Sequence, residues 1–392
     1  MSRRGQVWQE GRPKDAPAVR GAPWYFVVDI APAGAPRKQV RRRGFPTKEA
    51  AQHALDELLG NVRDGTHVEP SRLSFGDYLR TWLDGLASKG RRPTTVDGYR
   101  RKLERYALKD DVAGIPLQAV TAADLDAVYG KLRTSGGRKG TALSLRTVRH
   151  VHTILAKALA DAERKGLIAR NPSQRAEPPT STAARSPEAK TWTPDQLRAF
   201  LAKTSEHDHT TLFRLAAMTG MRRGELCGLR WSDVDLDAAS LRVRQTMAAV
   251  RGELVEGVPK TERSARTIDL DPVTVAALKK HRTGQLEQRL LMGAGYADRD
   301  LVFAKPDGGP WNPDAVGRSF TREVERTKLP RIRFHDLRHS HATHLLAAGV
   351  NMRLVSERLG HATVGFTLDV YAHALPGQQA DAAAAVAALV DA

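Results

Sequence analysis

The chain has 392 residues and a formal net charge of +18, because its 62 lysines and arginines outnumber its 44 aspartates and glutamates. Hydrophobic residues make up 41% of the chain, which excludes wholesale disorder and is enough for two or three domains. The longest apolar run, at residues 382–390, is too short for a membrane span, and the single cysteine, Cys227, excludes a disulfide framework within one chain. We therefore expect a cytoplasmic protein, and the excess positive charge favours a nucleic-acid partner.

Residues 1–65 predict a small basic module made of strands and one helix. Residues 24–30 are rich in β-branched and aromatic side chains and predict a strand, and residues 37–45 predict a second, strongly basic one. A helix is predicted to open at Thr47 and to run to about Asn61. A solvated hairpin face would explain the charge, but we favour a sheet laid on DNA. The candidate DNA-contacting residues of this module are Arg37, Lys38, Arg41, Arg42 and Arg43.

Residues 70–172 predict a helical domain. Apolar side chains recur at helical spacing over residues 75–86. A second helix is predicted to be capped by Thr94 or Thr95 and to reach about Leu108, with basic residues outside its apolar stripe. These basic residues fit DNA contact and a solvated face equally well; they are Arg100, Arg101 and Arg105.

The rest of this domain shows two helix-start signals and is followed by a linker. Thr121 and Asp124 have the spacing of a capping box before an apolar stripe. Ser144 precedes a long periodic helix that is predicted to end near Lys165. Residues 173–190 contain several prolines and no apolar period, so they are predicted to form a linker.

The region after the linker predicts a third domain, which begins with helices. Thr193 opens a helix-start signature that continues with Pro194 and Gln196. Two more helices are predicted around residues 212–218 and 223–229.

Short strands are expected next, at residues 241–247, 250–258 and 266–270. From about residue 272 the pattern is helical again, and an alanine-rich tail follows Pro376. The expected fold class is therefore mainly α and multidomain. It comprises a small β-sheet and helix module, a helical domain, and an α+β domain at 191–392.

Four segments of the last domain carry residues suited to chemistry, namely 219–235, 259–270, 334–349 and 359–373. Each alone has an ordinary structural explanation, such as a helix cap or a surface ion pair. Together they hold the groups that metal-free phosphodiester cleavage requires: cations for the phosphate oxygens, a nucleophile, a proton acceptor and an acid. The residues are Arg222, Lys260, His335, Arg338, His361 and Tyr371.

Each of these residue types suits one part of that reaction. The arginine forks of Arg222 and Arg338 can clamp the phosphate, and Tyr371 can attack it. Lys260 can protonate the departing 5′-oxygen, while the two histidines can handle the tyrosine proton or donate to the phosphate. The sequence shows no carboxylate cluster, metal-ligand spacing or nucleotide-binding glycine loop. A two-metal nuclease and ATP-driven chemistry are therefore disfavoured, and no metal or cofactor is expected.

In order and spacing, these six residues resemble the signature of the tyrosine recombinases, also called phage integrases. The family pattern has an arginine in a TG-x-R context, a lysine in a β-hairpin, His-x-x-Arg, and a histidine after Leu-Gly. A tyrosine follows about ten residues later, and here 371 − 361 = 10. Glu225 matches the acidic position that supports the family's active site. The resemblance implies that Tyr371 is the nucleophile and that the other five residues complete the catalytic set.

The resemblance also implies an architecture and partners. Residues 1–65 are similar to a three-stranded arm-type DNA-binding module, residues 70–172 to a SAM-like core-binding domain, and residues 191–392 to a catalytic domain with a small three-stranded sheet and a tail helix. Such an enzyme would act as a homotetramer on double-stranded DNA attachment sites, through a 3′-phosphotyrosyl link and a Holliday junction. A recombination directionality factor, a host DNA-bending protein and a nucleoid location are implied as well.

Two other functions remain open from the sequence alone. A type IB topoisomerase or a chromosome-dimer resolvase would keep the chemistry, although the basic N-terminal module argues against both. A non-catalytic architectural DNA-binding protein is the second, and the complete set of six residues argues against it. The further histidines near His335 are expected to pack rather than to bind a metal; they are His339, His341 and His344.

Overall fold

The computed structural model describes residues 5–11, 19–31, 35–65, 67–184, 190–257, 265–361, 363–371 and 387–388. The chain divides into two compact units, Met1–Ser186 and Pro187–Ala392. Among the described residues, no helix combines the length and the apolar character that crossing a membrane requires.

The first unit begins with an antiparallel sheet covered by one helix. The sheet has the order β1 (Gln6–Gln9), β2 (Trp24–Asp29), β3 (Gln39–Phe45), and the helix is α1 (Lys48–Arg63). Phe26 and Val28 of β2 are buried against Leu55 and Leu58 of α1. Alternate residues of β2 therefore face away from the helix. The predicted strand pair and the helix after Thr47 are confirmed; β1 is too short to produce a pattern of its own.

Four helices form the rest of the first unit: α2 (Phe75–Ser88), α3 (Pro93–Tyr106), α4 (Ala122–Ser135) and α5 (Leu145–Arg164). The capping box of Thr121 and Asp124 and the cap at Ser144 are confirmed. The cap predicted at Thr94 or Thr95 is wrong, because α3 begins at Pro93 with Arg92 as its N-cap. Proline has the helical φ angle built in and is favoured at the first helical position, so the helix starts there.

The first part of the segment predicted as a linker is held against these helices. Ser173 is buried in a short turn that contacts α5. The Arg149 side chain donates a hydrogen bond to the Pro179 carbonyl at 2.6 Å, and the Glu177 amide donates one to Asp126 at 2.6 Å. These contacts tie the chain to the helical bundle up to at least residue 179.

The second unit is mostly helical. Its helices are α6 (Pro194–Lys203), α7 (Thr210–Thr219), α8 (Arg223–Cys227), α9 (Pro272–Met292), α10 (Pro313–Thr327), α11 (Asp336–Ala347), α12 (Met352–Leu359) and α13 (Val364–Tyr371). The helix-start signature at Thr193 forms a complete capping box. Aromatic rings fill the core around Trp192, Phe200, Phe213 and Phe320, with neighbouring centroids 4.9–5.9 Å apart.

Two small sheets complete the second unit. One has the order β4 (Val234–Asp235), β5 (Ser240–Val243), β8 (Arg266–Asp269), and the other pairs β6 (Thr246–Val250) with β7 (Glu253–Gly257). The continuous strand predicted at 241–247 is therefore wrong, because its two ends lie in different sheets. Arg244 and Gln245 separate the two strands, and the Gln245 side chain donates a hydrogen bond to the Gly228 carbonyl at 2.5 Å. The predicted fold class, including the three-stranded sheet, is confirmed.

Gly220 ends α7 in a conformation and a space that favour glycine. Its φ angle is +65°, in the left-handed region. A Cβ atom here would lie 2.6 Å from Cδ2 of Leu359 and 3.0 Å from Cδ2 of His341. The absence of a side chain therefore lets α7 approach both α11 and α12.

We expect Gly220→Ala to lower the free energy of unfolding by about 1–3 kcal/mol, from left-handed strain, with the clash against Leu359 adding to it. Urea unfolding followed by tryptophan fluorescence measures this. The matched control is Gly284→Ala in the middle of α9, where a Cβ would meet nothing within 4 Å. That control should gain about 0.5–1 kcal/mol. Equal effects of the two substitutions would contradict the role assigned to Gly220.

Candidate active site

Five of the six predicted catalytic residues lie in the described part of the chain, at the ends of helices of the second unit. Arg222 directly precedes α8, and Arg338 lies in the first turn of α11, whose N-cap is His335. His361 follows α12 by two residues, and Tyr371 is the last residue of α13. Lys260 lies outside the described residues.

A buried carboxylate ties two arginines together. Glu225 accepts hydrogen bonds from the Arg222 backbone amide at 2.9 Å and from Arg222 Nη1 at 2.7 Å. Its Oε2 also accepts from Arg266 Nη2 at 2.9 Å. Burial opposes the ionisation of Glu225, but the hydrogen bonds and charge of Arg266 and the charge of Arg222 outweigh it and lower the pKa of the carboxyl. Glu225 is therefore ionised at neutral pH, and its negative charge lies between Arg222 and Arg266.

The C-terminal end of α12 supplies carbonyl groups to three guanidinium groups. Arg338 donates to the Leu359 carbonyl at 2.6 Å, Arg222 to Gly360 at 3.0 Å and Arg266 to the Arg358 carbonyl at 2.7 Å. These are carbonyls that an α-helix leaves without internal partners, at the negative end of its dipole. They therefore hold the three arginines at one place, as a guanidinium cluster.

Arg338 is more deeply buried than Arg222. Only 3% of the residue is exposed, and its Nη1 donates to the Gly220 carbonyl at 2.7 Å. Burial, followed by the charges of Arg222 and Arg266, lowers the pKa of Arg338 to about 9. The group remains protonated at neutral pH. Among the described residues, two of these guanidinium groups contact one carboxylate, Glu225, and all three lie at the end of α12, so the cluster favours a bound anion.

The two predicted histidines lie in different surroundings. His361 is buried, and its Nδ1 is 2.7 Å from Thr367 Oγ1. Burial and the charges of Arg338 and Arg222 lower the pKa of His361 to about 3, so it is neutral at pH 7. His335 is exposed at its surface, but desolvation, followed by the charges of His339, Arg338 and Arg222, lowers its pKa to about 4, with Asp336 opposing.

Tyr371 is buried and has a histidine partner. Only 2% of the residue is exposed, and its Oη is 2.7 Å from Nδ1 of His339. Burial raises the pKa of the phenol to about 12, with Arg338 opposing the rise and Asp336 adding to it. The phenol therefore carries its proton at neutral pH.

Two residues of this site were not predicted from the sequence. His339 contacts Tyr371, whereas packing alone was expected for it. Arg266 completes the guanidinium cluster beside Glu225. Packing roles do hold for the other two histidines of α11: His344 Nε2 is 2.8 Å from the Trp192 carbonyl, and Arg358 donates to His341 at 3.2 Å. A histidine adjacent to Arg338 and one turn after His335 was the available signal for His339.

The candidate DNA-contacting residues all lie in the first unit. Several have acidic neighbours: Arg37 pairs with Asp29, Lys38 with Glu69, Arg43 with Glu10, Arg100 with Asp84, and Arg101 with Asp97. Two guanidinium groups lie near aromatic rings, Arg41 over Tyr25 and Arg105 over Tyr106. Arg42 is exposed beside α1 and His67. In the part of the chain that the structure describes, no group of three potential metal ligands occurs.

Two models of known protein families match separate parts of this chain. The model of the phage integrase family matches residues 190–377, and that of the arm DNA-binding domain matches residues 18–62. The match over residues 190–377 assigns this part of the chain to the phage integrase family, which is the family of tyrosine recombinases. The predicted function, a site-specific DNA recombinase of the integrase type, and the predicted enzyme class are thereby confirmed.

Sequence similarity to several relatives covers nearly the whole chain. A tyrosine recombinase XerC-like protein of Caldanaerobacter subterraneus subsp. tengcongensis is 27% identical over 381 residues, covering 93% of this chain and 96% of its own. The ICEBs1 integrase of Bacillus subtilis is 28% identical, with 91% and 95% covered. An integrase of Streptomyces ambofaciens is 26% identical, with 94% and 91% covered.

Solved structures agree in fold. The Tn1549 transposon integrase in complex with transposon right end DNA matches with a TM-score of 0.65 at 22% identity, covering 80% of this chain and 99% of its own. The lambda integrase dimer bound to a COC′ core site matches with a TM-score of 0.55 at 18% identity, covering 92% and 96%. These likenesses show the fold.

We expect Glu225→Gln to cost about 3–5 kcal/mol of stability at neutral pH, because it leaves buried guanidinium groups without their countercharge. Because folding lowers the pKa of Glu225, its ionised carboxylate stabilises the folded state fully above the ordinary pKa of 4.5. This stabilisation is lost as the pH falls through the lowered pKa of the folded state. The stability gap to the wild type should therefore narrow at acidic pH. Urea unfolding between pH 3.5 and 7.5 measures the gap.

The control for this prediction is Glu357→Gln, which removes an exposed ion pair with Arg353 on α12. Its cost should stay below about 1 kcal/mol. A gap for Glu225→Gln that is small, or that widens below pH 4.5, would contradict the role assigned to the buried carboxylate.

Proposed function

We propose that Tyr371 attacks a DNA phosphodiester and forms a 3′-phosphotyrosyl link, releasing a 5′-hydroxyl. The observation that supports this most directly is the guanidinium cluster held beside the phenol of Tyr371. Positive charge fixed in advance stabilises the extra negative charge of a pentacoordinate phosphorus without reorganisation. Arg222 and Arg338 bind the non-bridging oxygens in this proposal.

The remaining residues handle protons and hydrogen bonds. His335 and His361 are neutral hydrogen-bond donors toward the phosphate, because both pKa values are lowered. Lys260 protonates the departing 5′-oxygen, the role that fits an ammonium group. Glu225 and Arg266 keep Arg222 in place. The phosphotyrosyl bond keeps the energy of the phosphodiester, so rejoining to another 5′-hydroxyl requires no nucleotide cofactor.

The three regions of the chain divide the recognition of DNA. Residues 1–65 bind arm-type sites, residues 70–172 bind the core site, residues 173–190 connect, and residues 191–392 catalyse. The predicted tail helix beyond residue 376 lies almost entirely outside the described residues. The enzyme works as a tetramer on two attachment sites. The lambda integrase tetramer bound to a Holliday junction supports this assembly; its structure matches with a TM-score of 0.55 at 18% identity and covers 88% of this chain and 92% of its own.

Integration or excision of a phage or mobile element is the outcome that fits best. The match of residues 18–62 to an arm DNA-binding domain and the integrase relatives favour it over a chromosome-dimer resolvase or a topoisomerase. A recombination directionality factor and a host DNA-bending protein remain predictions, as does a location at the nucleoid.

The outer face of the N-terminal sheet is the proposed contact with arm DNA. On the face opposite α1, Trp8 and Tyr25 stack with centroids 5.7 Å apart, and the guanidinium groups of Arg41 and Arg43 lie 4.6 and 6.0 Å from the Tyr25 ring. Arg42 instead pairs in register with Phe26 and faces the α1 side. Arg41 and Arg43 therefore lie on the face of the sheet that α1 does not cover, whereas Arg42 lies on the face that packs against α1.

Tyr371→Phe should abolish covalent attachment to DNA while leaving binding intact, because it removes the attacking oxygen. Incubation with a nicked suicide duplex carrying the core site, without magnesium, and analysis for an SDS-resistant adduct measures this. The control is Tyr296→Phe, which changes a second tyrosine of the same unit, one that is only partly buried. An adduct that persists in Tyr371→Phe would assign the nucleophile elsewhere, and no adduct in the wild type with binding intact would favour an inactive domain.

Arg41→Ala and Arg43→Ala should each weaken binding to arm-site DNA and reduce the slope of log K against log salt by about 1, because each removes one phosphate contact. Fluorescence anisotropy across a range of salt concentrations measures the slope. Arg42→Ala carries the same charge change on the other face and should leave the slope nearly unchanged. Equal slopes for all three variants would show that net charge, rather than this face, determines binding.

A further inference from the structure

We propose that His339 is a further catalytic residue, whose Nδ1 receives the proton of Tyr371 as the phenol oxygen attacks phosphorus. This inference rests on the proposed function, and it adds a proton acceptor that the sequence pattern assigned to other histidines. It is carried by the direct contact of His339 with the reacting oxygen, at 2.7 Å.

The geometry suits transfer of a proton between the two side chains. The Oη to Nδ1 distance is that of a good hydrogen bond, and the ring centroids are 5.6 Å apart with planes at 52°. His339 follows Arg338 directly on α11. The same helix turn therefore places one cation in the guanidinium cluster and one imidazole on the phenol.

The charge state of both groups sets the direction of the hydrogen bond. Burial lowers the pKa of His339, so the imidazole is neutral at pH 7 and has one acceptor nitrogen. The phenol is protonated, and it donates when Nδ1 is that acceptor. The titratable and charged groups around His339 are Arg333, His335, Asp336, Arg338, His361 and Tyr371. Of these, Asp336 favours the imidazolium, while Arg333 and Arg338 oppose it.

The predicted alternatives are less well placed to accept this proton. Nδ1 of His361 is engaged with Thr367, and its neighbouring arginines disfavour a second positive charge. His335 is exposed at the start of α11, and its ring centroid lies 5.1 Å from that of His339. The Asp336 carboxylate accepts hydrogen bonds from Arg333 at 2.7–3.2 Å. Among the residues that the structure describes, His339 is the one whose side chain is hydrogen-bonded to the phenol.

The step balances without an added reagent. The Oη–P bond forms with an oxygen lone pair, the phenol proton moves to Nδ1 of His339, and the P–O5′ bond breaks. Its electron pair stays on the 5′-oxygen, which takes a proton from Lys260. In rejoining, the 5′-hydroxyl returns its proton to Lys260 and attacks phosphorus, the P–Oη bond breaks, and the imidazolium of His339 returns the other proton to the phenolate.

The experiment compares His339→Asn and His339→Ala in the full-length chain, by single-turnover adduct formation on the suicide duplex from pH 6 to 9.5. Asparagine places an amide oxygen near the Nδ1 position, so it keeps a hydrogen-bond acceptor but does not take up a proton. We expect both variants to bind the duplex normally and to cleave about 10²–10⁴-fold more slowly at pH 7. Their rates should rise about tenfold per pH unit, because the phenol must then lose its proton to hydroxide.

A second measurement changes the acidity of the nucleophile instead of the base. Fluorotyrosine at position 371 makes the phenol more acidic, so it should accelerate the His339 variants much more than the chain with native His339. The matched control is His344→Gln, which removes another imidazole of α11 while the glutamine amide can still reach the Trp192 carbonyl. This control should cleave at nearly the wild-type rate with the wild-type pH profile.

The outcomes separate this inference from the proposed function. Wild-type rates and pH profiles in the His339 variants would overturn it, and so would a loss of cleavage that neither high pH nor fluorotyrosine relieves. In both cases a dependence on Tyr371 would leave the proposed function standing. Failure of the proposed function would show differently, as an adduct that survives Tyr371→Phe.

Discussion

The C-terminal end of α12 is the feature on which the site depends. Its last carbonyl groups accept hydrogen bonds from Arg338, Arg222 and Arg266, and Glu225 supplies the countercharge from below. Like charges this close repel one another, so the arrangement persists only because oriented dipoles and a buried carboxylate offset the repulsion. Gly220 at the end of α7 and Gly360 at the end of α12 both have left-handed backbone conformations. Their carbonyl oxygens accept hydrogen bonds from Arg338 and Arg222, respectively.

The helix starts were predictable because a cap is a local interaction. Thr47, Thr121, Ser144 and Thr193 each accept a backbone hydrogen bond within three residues, and the pattern is visible in the sequence. The break between β5 and β6 was not predictable in this way. It depends on the contact of Gln245 with Gly228, which lies 17 positions away in the chain.

The same distinction applies to the active site. Arg222, Glu225, Arg338, His361 and Tyr371 belong to short motifs, so a resemblance could select them from the sequence alone. Arg266 and His339 acquire their site contacts through partners 41 and 32 residues away. The position of His339 beside Arg338 is a local signal, but it does not specify the contact with Tyr371. Arginines and histidines are common in this basic chain, and only the packing of α11 against α13 distinguishes His339 from His341 and His344.

Burial gives the site its proton chemistry. It raises the pKa of Tyr371 and lowers those of His361 and His339, so the resting enzyme holds a neutral phenol among neutral imidazoles. The fixed positive charge comes from the guanidinium groups, which no pH near neutrality removes. A phosphate that enters supplies the anion for these groups. In the proposed reaction, its charge offsets the arginine repulsion that opposes a protonated histidine, so the bound phosphate eases proton transfer from Tyr371 to a neighbouring imidazole.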